Sequence, residues 1–367
     1  MYLSKLTVFN FKNYGQVELD LSAKINCFTG LNGTGKTNLL DAVYYLSLTK
    51  SYFNAPDSQA IRHDEKFFSL FGVYSLDGVV EEVSCGLKRG QKKVHKRNGK
   101  EYVKLSDHIG LLPIVMISPS DYELIVGGSE ERRKFMDSVI SQSDRAYLAA
   151  LMRYNRALMQ RNSLLKQDKP NEDVLQIWDS QLWELNELVF EKRKLFVADL
   201  IPIFQDYYSR ISMGREQIGI RYKSQLFEGD VRGLYRGALQ KDLALQYSSV
   251  GIHRDDLILE LDGYPLRKIG SQGQQKTMLA ALKFAQFDFM KLQRGVPPIL
   301  LLDDIFDKLD GERVAQIVRL VSDDHFGQIF ISDTNTERML LMLADTGRAF
   351  RVFGIEDNVP VLLDERV

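Results

Sequence analysis

Eight residues, Gly30-Leu31-Asn32-Gly33-Thr34-Gly35-Lys36-Thr37, limit what this chain can fold into. They fit G-x-x-x-x-G-K-[ST], the pattern of a phosphate-binding loop. Lys24 to Thr29 before it is short and largely apolar, as in a buried strand. Asn38 to Leu46 after it carries apolar residues at helical spacing. Strand, glycine loop and helix together are the context the pattern requires. The glycines let backbone N–H groups turn toward phosphate oxygens, and the helix N-terminus adds partial positive charge. Lys36 is then placed to reach β- and γ-phosphates, and the Thr37 hydroxyl to hold Mg²⁺.

Such a loop calls for an acidic partner strand. Pro297-Pro298-Ile299-Leu300-Leu301-Leu302-Asp303-Asp304 reads as a buried strand ending in two carboxylates. The C-terminal end of a strand is where α/β sheets bind ligands. Asp303 would serve the Mg²⁺ shell. Asp304 would position or deprotonate an attacking water. The two halves of this site stand near residues 30 and 303, so the middle of the chain is an insertion. The expected division is an ATPase-type head over 1–118 and 248–367, a mixed sheet plus an antiparallel β subdomain, with a mainly helical lobe over 119–247.

Between the motifs the chain reads in order. Residues 2–22 suggest two strands about a turn at Asn13-Tyr14-Gly15. Lys12, beside that turn, suits either a nucleotide contact or a solvated position. Phe67 to Leu87 is a hairpin about Asp77-Gly78. Lys88 to Lys100 follows, with seven basic residues (Lys88, Arg89, Lys92, Lys93, Lys96, Arg97, Lys100) and no acid. It suits a phosphate-contacting ribbon or a solvated one. Arg132 and Arg133 are second candidates for the same contact, or for salt bridges. Ile114 to Ile117 is another buried strand. Glu130 to Leu165 is helical in pattern, and a second long helix runs to about Leu200, before Pro202. The two make a helical hairpin of roughly 40 Å, far short of a long coiled coil.

Hydrophobic content of 44% and charged content of 26% are ordinary for a soluble chain of 367 residues. Net charge is −1, so nucleic-acid binding needs a local basic patch. The two cysteines, Cys27 and Cys85, suit buried reduced thiols of a cytosolic protein. No secretory signal and no run long enough for a membrane span is evident.

The glycine-glutamine motif at Ser271–Gln274, the acidic strand and a second acidic loop at Asp307–Asp310 resemble an ABC-type ATPase head, where signature, Walker B and D-loop follow in that order. Halves split around a helical insertion resemble the SMC-like branch of that class. Within the branch, YLSKLTVFNFKNY, GLNGTGKTNLLDAVYYLS, GSEERRKFMD, GIHRDDL, GSQGQQKT and PPILLLDDIFDKLD are similar to the bacterial RecF family of DNA replication and repair proteins. The likeness runs from residue 2 to beyond residue 335. It implies a cytoplasmic, ATP- and Mg²⁺-dependent DNA-binding protein that dimerises on ATP. It implies work with RecO and RecR in loading RecA at replication gaps, and support of the SOS response. By the same likeness Ser271, Gly273 and Gln274 contact the ATP of a partner subunit, Asp310 is the D-loop aspartate, and Asp304 replaces the usual glutamate. Gln272 stands where ABC heads carry glycine, and Asp333 where transporters carry histidine. Slow hydrolysis, below the roughly 10 s⁻¹ of a median enzyme, follows from the shorter acid. An ATPase acting on a protein complex without touching DNA is the alternative.

Overall fold

A computed structural model describes residues 1–53, 55–214, 216–305, 311–321, 325–344 and 346–367. The chain opens with strands β1 (Tyr2–Phe11), β2 (Tyr14–Asp20) and β3 (Ile25–Thr29), then helix α1 (Lys36–Leu48). Strands β4 (Phe67–Leu76), β5 (Val79–Lys88), β6 (Val94–Arg97), β7 (Lys100–Glu101) and β8 (Ile114–Ile117) follow. Next come α2 (Glu123–Val126), α3 (Ser129–Ser143), α4 (Arg145–Leu165), α5 (Glu172–Ser212), β9 (Ile218–Lys223) and α6 (Val231–Leu245). Then β10 (Asp256–Leu261), β11 (Tyr264–Pro265), α7 (Leu266–Ile269) and α8 (Gln272–Arg294). The chain closes with β12 (Ile299–Asp303), α9 (Gly311–Val321), β13 (Ile329–Asp333), α10 (Thr336–Ala344), β14 (Phe350–Glu356) and β15 (Val359–Arg366).

Two compact units divide the chain: Met1–Asp121 with Lys276–Val367, and Tyr122–Gln275. The return to the first unit therefore falls 28 residues later than the 248 expected from sequence. The reason is local. The His253–Asp256 motif runs into β10, whose first residue is Asp256, and β10 pairs antiparallel with β9 of the inserted unit.

In the first unit, β15-β14-β3-β13-β12-β8 form one sheet and β2-β1-β4-β5-β6-β7 another. The inner strands β3, β12 and β13 run parallel, and β3, β8, β12 and β13 are buried along their whole length. That explains their uninterrupted apolar runs, since a parallel strand covered on both faces has no side to give to water. The second sheet is antiparallel and alternates: Leu3, Leu6, Val8, Leu70, Tyr74, Val83 and Cys85 face inward. Helix α1 packs in the core shared by both sheets, with Leu39, Leu40, Ala42, Val43 and Leu46 fully buried. Both cysteines are buried free thiols, and burial pushes Cys85 up to about 12.

The inserted unit departs from its sequence reading in two places. The run Glu130–Leu165 is two helices, because Asp144 adopts extended backbone and its carboxylate accepts from Tyr147 N–H to cap α4. Helix α5 does not stop near Leu200. It continues for 41 residues with Pro202 inside, since Phe204, Tyr208 and Ile211 extend the buried stripe beyond the proline. Burial of that stripe outweighs the one backbone hydrogen bond a proline removes. No described helix is long and apolar enough to cross a membrane.

Candidate nucleotide site

The loop Gly30–Gly35 leaves the buried end of β3 and turns directly into α1. Gly30, Gly33 and Gly35 all have positive φ, at 145°, 86° and 103°. At two of them the space is also closed. A Cβ on Gly30 would stand 2.6 Å from the Ile355 carbonyl, and one on Gly35 2.3 Å from Asn13 Nδ2. Lys36, only 4% exposed, donates to the carbonyls of Gly30 at 2.8 Å and Leu31 at 2.9 Å. Its ammonium is thus folded back across the loop whose N–H groups bind phosphate in this motif.

The acidic strand meets the loop as the motif requires. Thr37 Oγ1 donates to Asp303 Oδ1 at 2.8 Å, joining residues 266 positions apart in the chain. Asp303 Oδ1 also accepts from Ser332 Oγ at 2.7 Å, and Oδ2 from Ser118 Oγ at 3.4 Å. Sheet register places these groups, with Asp303 opposite Ser332 and Leu302 opposite Ile117. Burial pushes the Asp303 carboxyl above the usual range, opposed by its hydroxyl donors and by the charge of Lys36. A buried carboxylate ringed by hydroxyls is an all-oxygen donor set, which fits Mg²⁺ and does not suit a soft metal. Asp304 follows in left-handed backbone, φ 47°, with its N–H donating to Ser332 Oγ at 3.1 Å. Asp333, at the end of β13, accepts from Asn335 N at 2.7 Å and from Arg338 at 2.5 Å.

Ser118 and Ser332 were not singled out in the sequence, and Asn13 was read only as part of a turn. Asn13 accepts from Asn38 Nδ2 at 2.7 Å, donates to the Thr34 carbonyl at 3.4 Å and meets Asn358 in the β14–β15 turn. The only signal for the serines was their place at the ends of strands flanking the acidic one. Lys12 is taken up elsewhere: it bridges to buried Asp41 at 2.7 Å and lies over the Phe53 ring.

In the other unit, Ser271 and Gln274 cap α8 reciprocally. Ser271 N donates to Gln274 Oε1 at 2.8 Å and Gln274 N to Ser271 Oγ at 3.3 Å. Gly273 lies one residue into that helix. The D-loop candidate Asp310 lies outside the described residues.

The basic ribbon is only partly available. Lys93 is turned inward, to Asp57 at 2.7 Å and to the Thr49 carbonyl that ends α1. Arg97 forks onto Glu81 at 2.5 and 2.8 Å. Lys88, Arg89, Lys92, Lys96 and Lys100 are exposed. Arg132 is buried and bidentate to Asp256, at 2.7 and 3.1 Å, and Arg133 donates to the Asp255 carbonyl at 2.8 Å. The salt-bridge alternative therefore holds for Arg132, and Arg133 is likewise engaged within its own unit.

A P-loop strand, an acidic strand and a split head around a helical insertion define an SMC-type ATPase head. The family described as RecF/RecN/SMC N terminal domain matches residues 2–358. The DNA replication and repair protein RecF of Bacteroides fragilis is 51% identical over 368 residues, covering 100% of both chains. RecF of Bacteroides thetaiotaomicron is 52% identical over 361 residues, 98% of each. The structure of the recombination mediator protein RecF with ATP, in the RecFOR pathway, superposes with TM-score 0.89 at 30% identity, covering 99% of this chain and 98% of that one. An Smc head domain from Pyrococcus furiosus shares the fold, at TM-score 0.59 and 18% identity. The chain belongs to the RecF/RecN/SMC family and, within it, to the RecF proteins of DNA replication and repair.

Proposed function

We propose that this chain is an ATP-dependent DNA-binding protein whose two copies close on DNA when ATP is bound and part after slow hydrolysis. The observation that carries the reading is the Thr37–Asp303 hydrogen bond of 2.8 Å, which unites phosphate loop and acidic strand. Gly30 to Thr37 bind the phosphates, with Lys36 exchanging its two loop carbonyls for phosphate oxygens. Thr37 and Asp303 would hold Mg²⁺, which when bound neutralises phosphate charge. Asp304, fixed at its N–H by Ser332, orients the attacking water. Ser271, Gly273 and Gln274 serve the ATP of the second copy, and Asp310 acts in the D-loop. Weak, DNA-stimulated turnover makes the protein a switch.

The family supports the rest: action in the cytoplasm with RecO and RecR in loading RecA at gapped DNA, and support of the SOS response. On the ribbon, Lys88, Arg89, Lys92, Lys96 and Lys100 would contact phosphates without reading sequence, while Lys93 and Arg97 hold the ribbon in place. Sedimentation with ATP and Mg²⁺, with and without gapped duplex, tests the reading. Dimers formed on DNA, lost in Lys36→Arg and trapped in Asp304→Asn, are expected. A protein indifferent to both ATP and DNA would refute it and favour an ATPase acting on protein complexes.

A further inference from the structure

Helix α4 holds four arginines in 21 residues and no acidic residue. Arg161 is spent in the interior, between Asp179 at 2.6 Å and Asp242 at 2.7 Å. Arg145, Arg153 and Arg156 are exposed. With 3.6 residues per turn they share one arc of the helix with Gln160 and Ser163, opposite the buried Tyr147, Ala150, Tyr154 and Ala157.

The neighbouring helices show what an ordinary solvated face looks like in this unit. On α3, Lys134 pairs with Glu130 at 3.0 Å and Glu131 at 2.9 Å. On α5, Lys194 pairs with Glu191 at 3.3 Å and Arg210 with Asp206 at 2.9 Å. Each of these three cations has a carboxylate one turn away on its own helix, and Lys192 of α5 reaches Asp144 at 2.7 Å. Arg153 and Arg156 have no such partner among the described residues. Helix stability does not account for the placement either. A cation in the first turn, where Arg145 stands, opposes the macrodipole, and the last turn, where a cation would help, has none.

We infer that the outer face of α4 is a phosphate-binding surface for a nucleic-acid backbone, with Arg153 and Arg156 each taking a phosphate and Gln160 and Ser163 adding neutral donors. This rests on the DNA-binding reading above and adds a contact surface to it. The two arginines are about 4.5 Å apart along the helix axis. Successive phosphates of one strand are about 3.4 Å apart along the duplex axis, so neighbouring phosphates lie within reach of these long side chains. Arginine and small neutral donors are the side chains that most often hold phosphate oxygens, and they carry no sequence preference.

The test is fluorescence anisotropy of a labelled duplex with the full chain, ATP and Mg²⁺ across a salt series. Arg153→Gln/Arg156→Gln should flatten the slope of log K against log salt by about 1.8, two contacts at roughly 0.9 each. Arg153→Lys/Arg156→Lys should restore it. Both variants should melt with the parent, since the two side chains hold nothing in the fold. Parent protein that binds DNA with a slope unchanged in the Gln variant would overturn this inference alone. Parent protein with no salt-dependent affinity for DNA would overturn the DNA-binding reading with it.

Discussion

Asp255→Ala tests the polar centre of the inserted unit. Asp255 is fully buried and accepts from Arg193 Nη1 at 2.8 Å and Tyr222 at 2.5 Å. Arg193 is itself 1% exposed, and its other contacts are Asp137 at 2.8 Å, Tyr147 at 3.1 Å and the Ile252 carbonyl at 2.8 Å. Removing the carboxylate leaves a buried guanidinium with one acid in place of two. Breaking a buried pair in this way costs about 3–5 kcal/mol. The unit spans 122 to 275, which is 154 residues. For a unit of that size each kcal/mol moves Tm by about 2–4 °C, so a fall of about 6–20 °C is expected. Calorimetry should show it, with Asp255→Asn falling less because it keeps the acceptor. Arg193→Met/Asp255→Leu should cost less than Asp255→Ala, because no fully buried charge is left alone: Asp137, the acid that remains, is partly exposed and keeps the Tyr147 hydroxyl. A drop under about 2 °C in Asp255→Ala would mean that Asp137 alone compensates Arg193, and the reasoning would fail.

Three further outcomes follow from the head. Ser332→Ala removes one hydroxyl from Asp303 and the acceptor of Asp304 N–H, and should weaken Mg²⁺-dependent ATP hydrolysis by about 10- to 100-fold. A metal titration changing less than threefold would contradict it. Gly35→Ala forces left-handed backbone at φ 103° and a contact of 2.3 Å, so filter binding should show ATP retention lost while the fold persists. His108 is fully buried, bonds to the Leu46 carbonyl at 2.8 Å, and is lowered by burial to about 4 from 6.5. The folded form refuses a proton that the unfolded chain accepts, so stability is full above pH 6.5 and falls toward pH 4, by about 3 kcal/mol. Denaturant melts of His108→Gln should have a shallower pH dependence over that window.

Residues whose neighbours in sequence are also their neighbours in space were legible. The loop at Gly30–Thr37, the strand ending at Asp303 and the turn at Asp77-Gly78 all appear where their local chemistry puts them. The rest depended on distant partners. Pro202 reads as a stop until the buried Phe204 and Tyr208 are seen to carry the helix past it. Lys93 and Arg97 read as free charge until Asp57 and Glu81 meet them. The motif at His253–Asp256 lies between ATPase motifs in sequence, yet its carboxylates serve Arg132 and Arg193 of the inserted helices. The β14–β15 hairpin was overlooked, although Asp357 and Asn358, both with positive φ, mark its turn.

The order of strands around β3 bears on how the protein is made. β3 is flanked by β13 and β14, which begin at residues 329 and 350, about 300 residues downstream. A ribosome adding about 5–20 residues per second needs roughly 15–60 s to supply them. Throughout that interval Ile25, Cys27 and Phe28 have left the ribosome without the strands that bury them, while the whole inserted unit, being contiguous, can fold first. The phosphate loop is therefore among the first segments synthesised and among the last to take shape. A nascent chain arrested before β13 should stay bound to chaperones and fail to retain nucleotide.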